Sequence, residues 1–325
     1  MYSKSEALKQ FHGISNLRGT WDLVWRYSFA AGLIYVAVHT HNLAVAITCF
    51  ILISATQQAL LNLQHDAWHQ LCFTPKRAND IITSWFYAYA LGSAFYYNQV
   101  RHRGHHAYFG TENDPDHETY SNTGRDTPLS FLLFLAKLLL AYRFVDGALM
   151  VVRSAKNKDA SKSLPGMDLR SERTPSLKTE LACLATAQLL ILGVFYITTG
   201  SILNYVFFWL LPMYTLANFL SVFRRFMEHA NATTDGLAPA DRLFDYQPSV
   251  IEKFFVSPAH FELHAFHHTF PKIPHYKLYQ ARAHALENKV HFVYTQRGTY
   301  FAALIEHING LRKNKNASTV VENGR

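Results

Sequence analysis

A chain of 325 residues is long enough for one large domain or two ordinary ones. Apolar residues make up 49 % and charged residues 17 %, well under the share of charge an ordinary soluble domain carries, which excludes that class and points to a membrane protein with substantial polar regions. Three widely spaced cysteines, Cys49, Cys72 and Cys183, exclude a disulfide framework or a zinc ribbon, and a net charge of +8 in so apolar a chain points to anionic lipid head groups and not to nucleic acid.

The first residues, "MYSKSEALKQFHGISNLRGTWDLVWR", place no apolar stretch close behind their basic residues, so no cleaved signal peptide is predicted. A span needs about 20 largely apolar residues. The first candidate, 23–38, is weakened by Arg26 near its start, where a long side chain snorkels. After "HTHN" comes a stronger candidate, 43–63. Directly behind it "HDAWH" places His65 and His69 four residues apart, on one face of a helix.

Ile81 to Asn98 is aromatic-rich and slightly short for a span. It leads into "HRGHH", with His102, His105 and His106, and then "NDPD", a turn signal containing Asp114 and Asp116. Pro128 to Val152 is apolar but contains Lys137, Arg143 and Asp146. Arg153 to Lys178 is polar and basic, and reads as a mobile loop. Two more spans follow, 181–199 and 201–223, joined by "TGS". Neither hairpin connection carries Lys or Arg, whereas Lys4, Lys9, Arg18 and Arg26 precede the first hairpin and Arg224 and Arg225 follow the second. Both hairpins therefore dip in from the cytoplasmic side and return to it.

The third cluster, "HAFHH", holds His264, His267 and His268. Eight imidazoles in three clusters, each beside a membrane end, suit transition metals such as iron, copper, nickel or zinc, and they are too many for one ion, so two metals share them. Bringing all three clusters to one side requires that neither 81–98 nor 128–152 crosses the bilayer. Both are then interfacial. "TYFAALIEHINGL" (Thr299 to Leu311) repeats apolar residues at helical intervals, for the membrane surface or for packing on the cap, and the tail 312–325 reads as disordered. The fold class expected is all-α: four transmembrane helices in two hairpins, with interfacial helices and a cytosolic helical cap drawn from 64–178 and 224–311, all within one domain, 1–311.

The boxes HxxxH, HxxHH and HxxHH, with "HDAWHQLCFTPKRAND", "RHRGHHAYFGTENDPD", "RRFMEHA" and "SPAHFELHAFHHTFPKIPHYKL", resemble the membrane-bound fatty acid desaturase superfamily, most closely its bacterial members. The resemblance covers roughly Leu60 to Leu286. It implies a non-haem diiron centre held almost wholly by histidine, and it makes His229 of "RRFMEHA" a ninth ligand. It implies O2 as co-substrate, a lipid or acyl substrate, and a separate electron donor of ferredoxin, rubredoxin or cytochrome b5 type, since the chain has no segment of its own for that task. The location implied is the bacterial cytoplasmic membrane, with the active site on the cytoplasmic side.

Relatives often carry Asn four residues before the third box, where this chain has His260. His260 is a candidate tenth contact or a donor behind the ligands. Metal-bound histidines usually donate their other N–H to a carboxylate or carbonyl, which nominates Asp66, Glu228 and Glu262, and also Asp114 and Asp116. His12, His39, His41, His275, His284, His291 and His307 match no box and receive no metal role.

The function expected is the introduction of a double bond into a fatty acyl chain. The alternatives are hydroxylation or ketolation of an acyl chain, a carotenoid or a small amino-acid-derived metabolite, since the boxes do not choose between these outcomes. A non-catalytic membrane metal or electron carrier is the reading from a different class. It is disfavoured because a carrier wants ligands along a path through the spans, whereas these boxes sit at span ends on one side.

Overall fold

The computed structural model describes residues 6–121, 123–140, 175–229, 242–292 and 295–322. The fold is mostly helical. Helices α1 (Asn16–His39) and α2 (Leu43–Trp68) form a hairpin. Its start is fixed by Ser15, whose hydroxyl accepts from the Arg18 amide, and its turn by Asn42, which accepts from the Ala44 and Val45 amides. Among the described residues three helices are long and apolar enough to cross a membrane: α2, Leu177–Thr199 and Ile202–His229. The predicted first span lies inside α1, which begins earlier, contains Arg18, Asp22 and Arg26, and is not one of the three.

The segment 81–98 is not one continuous helix. Helix α3 (Lys76–Thr83) runs on through short irregular turns to Leu91, and the chain then reverses at Gly92 in a left-handed conformation (φ 65°). A Cβ there would press into the Tyr214 hydroxyl, so glycine is required on both counts. Helix α4 (Phe95–Tyr108) follows. Helix α5 (Pro128–Leu139) is too short to cross a bilayer. It buries Phe131, Leu135 and Leu138 and leaves Leu129, Leu132 and Leu133 exposed. The rest of the apolar stretch to Val152, and nearly all of the basic stretch 153–178, lie outside the described residues.

The second hairpin is α6 (Leu177–Thr199) and α7 (Ile202–His229), turned by Gly200 at φ 69°. Most of α6 is exposed, with Leu189, Leu190, Val194 and Ile197 on its surface, as a helix facing hydrocarbon would be. Beyond α7 the all-α expectation needs amendment. Strands β1 (Phe244–Tyr246) and β2 (Thr295–Arg297) pair in parallel, with Phe244 opposite Thr295. Three-residue strands are too short to show alternation in sequence, and the pair is made by distant segments.

Between the strands lie α8 (Val250–Phe255), α9 (His264–Thr269) and α10 (Leu278–Glu287). Helix α11 (Tyr300–Glu322) closes the chain. It carries helical backbone past Arg312, where composition predicts disorder to begin, because extending a formed helix is far easier than starting one. Its first turns bury Tyr300, Ala303 and His307 against α5 and α7, next to Phe131 and Phe226, leaving Phe301 and Ile305 exposed.

Candidate metal centre

Four helix ends converge on one point. The C-terminal end of α2 brings His65 and, as its capping residue, His69; α4 brings His102, His105 and His106; α7 ends on His229; α9 brings His264, His267 and His268. All nine sequence-predicted ligands are thus brought together.

They divide into two groups. The ring nitrogens of His65, His69, His102, His106 and His267 lie within 4.8 Å of one another. Nε2 to Nε2 distances are 2.8 Å for His69–His102, 3.0 Å for His102–His106 and 3.2 Å for His69–His267. The second group is His105, His229, His264 and His268, with Nε2 separations of 3.2 Å for His105–His229, 3.0 Å for His229–His264 and 3.0 Å for His264–His268. The stacked rings of His106 and His268, 4.2 Å apart, join the groups.

The division crosses the boxes. Positions i and i+4 of a helix differ by about 40° around its axis, while i+3 lies about 100° from i+4. His102 and His106 accordingly stay together in the first group while His105 enters the second; His264 and His268 stay together in the second while His267 enters the first.

The chemistry of these donors fits a pair of cations. His105 Nδ1 lies 3.0 Å from both Asp114 oxygens, and His229 Nδ1 donates to the Arg225 carbonyl at 2.8 Å. In each neutral ring Nδ1 then carries the proton and Nε2 a lone pair. With both rings in the neutral form, two lone pairs face each other across 3.2 Å in a buried site, an arrangement that a positive ion between them satisfies. Burial first, and then the neighbouring imidazoles, push His102, His264 and His268 well below the ordinary histidine range, with the same direction at His69, His106 and His267. Rings held neutral are rings able to ligate.

Behind the histidines, Asp114 also accepts from the Tyr120 hydroxyl and the Asp116 amide. Burial opposes ionisation of Asp116, but Arg225 first, then His105 and Arg101, outweigh it and hold its carboxyl well below the usual range. Glu228 takes two contacts from Arg224 (2.8 and 3.1 Å) and one from the Tyr300 hydroxyl (3.1 Å), and lies 3.5 Å from His264 Nδ1. Glu228 and Asp114 therefore stand where the sequence nominates them.

Four nominated residues do not: Asp116, whose carboxylate pairs with Arg101 and Arg225, and also Asp66, Glu262 and His260. Asp66 is 4.0 Å from its neighbour His65 and instead holds the amide and Nδ1 of His275 at 2.8 and 2.9 Å. Glu262 binds the Tyr279 hydroxyl (2.6 Å) and Lys253 (2.9 Å). His260 is in neither group: it lies beside Glu262, Tyr279 and His275, in a left-handed conformation (φ 60°) that it shares with Ala259 (φ 64°). Two consecutive non-glycine residues in that region cost about 1–2 kcal/mol each. The sequence also gives no role to His275, which bridges Asp66 and Asp22 and so ties α1 to α2. Its partners are distant in the chain, so no local spacing announces it.

A cavity of about 610 Å³ reaches His65, His102, His105, His229 and His264 from one side. Leu61, Trp68, Phe134 and Leu138 form its apolar wall; Arg101, Arg125, Lys137 and Arg225 supply its cations.

A family model described as "Fatty acid desaturase" matches residues 40–300. No curated protein matches the chain.

Proposed function

Because the chain belongs to the fatty acid desaturase family, a family of membrane-bound oxidoreductases, we propose that it is a diiron enzyme that uses O2 to introduce a double bond into a fatty acyl chain. The observation that carries this reading is the split of nine imidazoles, six buried and three half-buried, into two groups at the wall of one cavity. His65, His69, His102, His106 and His267 would hold one iron, and His105, His229, His264 and His268 the other. Bound iron supplies the oxygen activation that an unactivated methylene needs, since no side-chain base can remove its non-acidic hydrogen. The overall balance removes two hydrogens from adjacent carbons and reduces O2 to two waters with two electrons and two protons from outside the chain.

The protein's own part is positioning and exclusion of water. Asp114 and the Arg225 carbonyl keep Nε2 of His105 and His229 free of protons and aimed inward. Leu61, Trp68 and Leu138 offer an acyl chain an apolar wall beside the imidazoles, and the cations at the same cavity suit an anionic head group. The electrons come from a separate carrier. We further propose that α1 is the fourth span, paired with α2, that the two hairpins place the centre at the cytoplasmic face, and that 1–311 forms a single domain. The positive-inside bias, and a hairpin turn at 40–42 free of Lys and Arg, support this arrangement.

The test is iron analysis of the purified protein together with lipid mass spectrometry of cells expressing the wild type, His105→Ala or His268→Ala. An acyl species lighter by two hydrogens, present only with the wild type, is the expected result. A species heavier by one oxygen would indicate hydroxylation, and one with an oxygen in place of two hydrogens ketolation. No iron and no altered lipid would overturn the proposal.

A further inference from the structure

Helix α2 carries a row of buried amides within its apolar length: Gln57, Gln58, Asn62 and Gln64, each almost wholly inaccessible. Polar side chains at such depth are expensive unless they do something specific. Two of them point at the same short segment. Asn62 Nδ2 donates to the Pro258 carbonyl at 2.9 Å, and Gln58 Nε2 to the Val256 carbonyl at 3.4 Å, while the two amides are linked to each other at 3.2 Å. The Pro258 carbonyl lies directly before Ala259 and His260, and the Val256 carbonyl two residues earlier; Ala259 and His260 are the consecutive left-handed residues that turn the chain into Phe261–Leu263 and then α9. The same helix presents His65 one turn beyond Asn62 and His69 one turn further.

We propose that Gln58 and Asn62 are positioning residues for the metal centre: they clamp the left-handed turn to α2 and so set the third histidine box in register with the first. This rests on the metal-centre reading above. A helix is a stiff ruler with a rise of about 1.5 Å per residue, so a clamp and a ligand pair on one helix are fixed relative to each other. The backbone of Ala259 and His260 is not favoured intrinsically and persists only where its surroundings impose it. Without the two donors the turn relaxes, and the box it leads into shifts relative to α2. The two groups do not depend on that box equally. It supplies His264 and His268, half of the four-histidine group, but only His267 of the five-histidine group. The loss is therefore selective for one metal position.

The experiment titrates metal-free full-length protein with cobalt(II), whose absorbance reports histidine coordination, for the wild type, Gln58→Met, Asn62→Leu and Gln57→Leu. Gln57 is the control. It is as buried as Gln58 but donates to the Trp209 carbonyl, away from the third box. The wild type is expected to bind two ions. Gln58→Met and Asn62→Leu are expected to keep one site at wild-type affinity and to weaken the other by about 10- to 100-fold, the effect usual for outer partners of a metal site. Gln57→Leu is expected to lower the melting temperature while leaving both sites intact. Two undisturbed sites in folded Gln58→Met and Asn62→Leu would overturn the clamp, as would equal weakening in Gln57→Leu. Should Asn62→Leu fail to fold, the near-isosteric Gln58→Met decides alone. A wild type that binds fewer than two ions would instead overturn the metal-centre reading on which the clamp depends.

Discussion

His105 and His229 meet through Nε2 atoms 3.2 Å apart while both Nδ1 atoms are already committed, one to Asp114 and the other to the Arg225 carbonyl. The tautomer of each ring is imposed from behind, so each presents a lone pair to the other before any metal is considered. A pair of histidines packed for structure alone would share a proton between them.

Asp114→Asn tests that arrangement. Asparagine can offer its NH2 to His105 Nδ1, which would place the ring proton on Nε2 and block ligation. Metal affinity of the four-histidine group should fall by about 10- to 100-fold with the fold retained. Titration of the metal-free variant against wild type measures it, and an unchanged affinity would show that Asp114 does not set the tautomer.

His260 sits at φ 60°, where Asn, Asp and His are tolerated better than other side chains and β-branched residues are outliers. His260→Asn should therefore retain metal content and stability, while His260→Val should lose about 1–2 kcal/mol. Thermal melts with metal analysis separate this from a ligand role: a metal-depleted Asn variant would restore His260 to the centre.

His275 gives stability a pH dependence. Burial alone would push its pKa down, but Asp22 and Asp66 outweigh burial and hold it above the ordinary value of 6.5. A histidine raised in the folded state contributes its full stability below the unfolded pKa and loses it as pH rises through the folded one. Melting temperature should fall with rising pH above about 6.5, and His275→Gln should be less stable overall, by about 3–5 kcal/mol for a broken buried pair, but flatter over the same range. Parallel profiles for the two proteins would refute the assignment.

Gly19 marks the closest approach of α1 to the segment after the first box. An added Cβ would press into the Cys72 carbonyl and come within 3.0 Å of the Phe73 ring, whereas one at Gly32 on the same helix meets nothing within 4 Å. Gly19→Ala should cost about 1–3 kcal/mol through overpacking, and Gly32→Ala should melt at or above wild type. Equal behaviour of the two would mean that α1 is free to shift.

The clustering of the box histidines is legible in the sequence because box spacing is a local property of helices: His65 and His69 pair across one turn, as do His102 and His106. Their division between two groups is not, since it depends on which way four separate helices face. The carboxylates behind the histidines divide along the same line. Asp114 follows its box across a single turn and lies within reach of a sequence reading, whereas Glu228 adjoins His229 in the chain but stands against His264 of another helix. Adjacency to His65 says nothing of a partner as distant in the chain as His275, which is the one Asp66 holds. The parallel pair of Phe244–Tyr246 with Thr295–Arg297 was hidden for the same reason, two segments each too short to signal alone.

The crossing of the boxes also sets an order in time. The first group needs His65 and His267, and the second His105 and His268, so neither is complete on a ribosome until nearly the whole family-matched region has emerged. On that reading α2 and α4 wait, with their imidazoles unmetallated, for the much later α9, after which α10, β2 and α11 still follow. On the proposed reading, ion capture becomes a late event of biogenesis, joining early and late parts of the chain, and a truncated product lacking α9 would keep both helical hairpins and no complete centre.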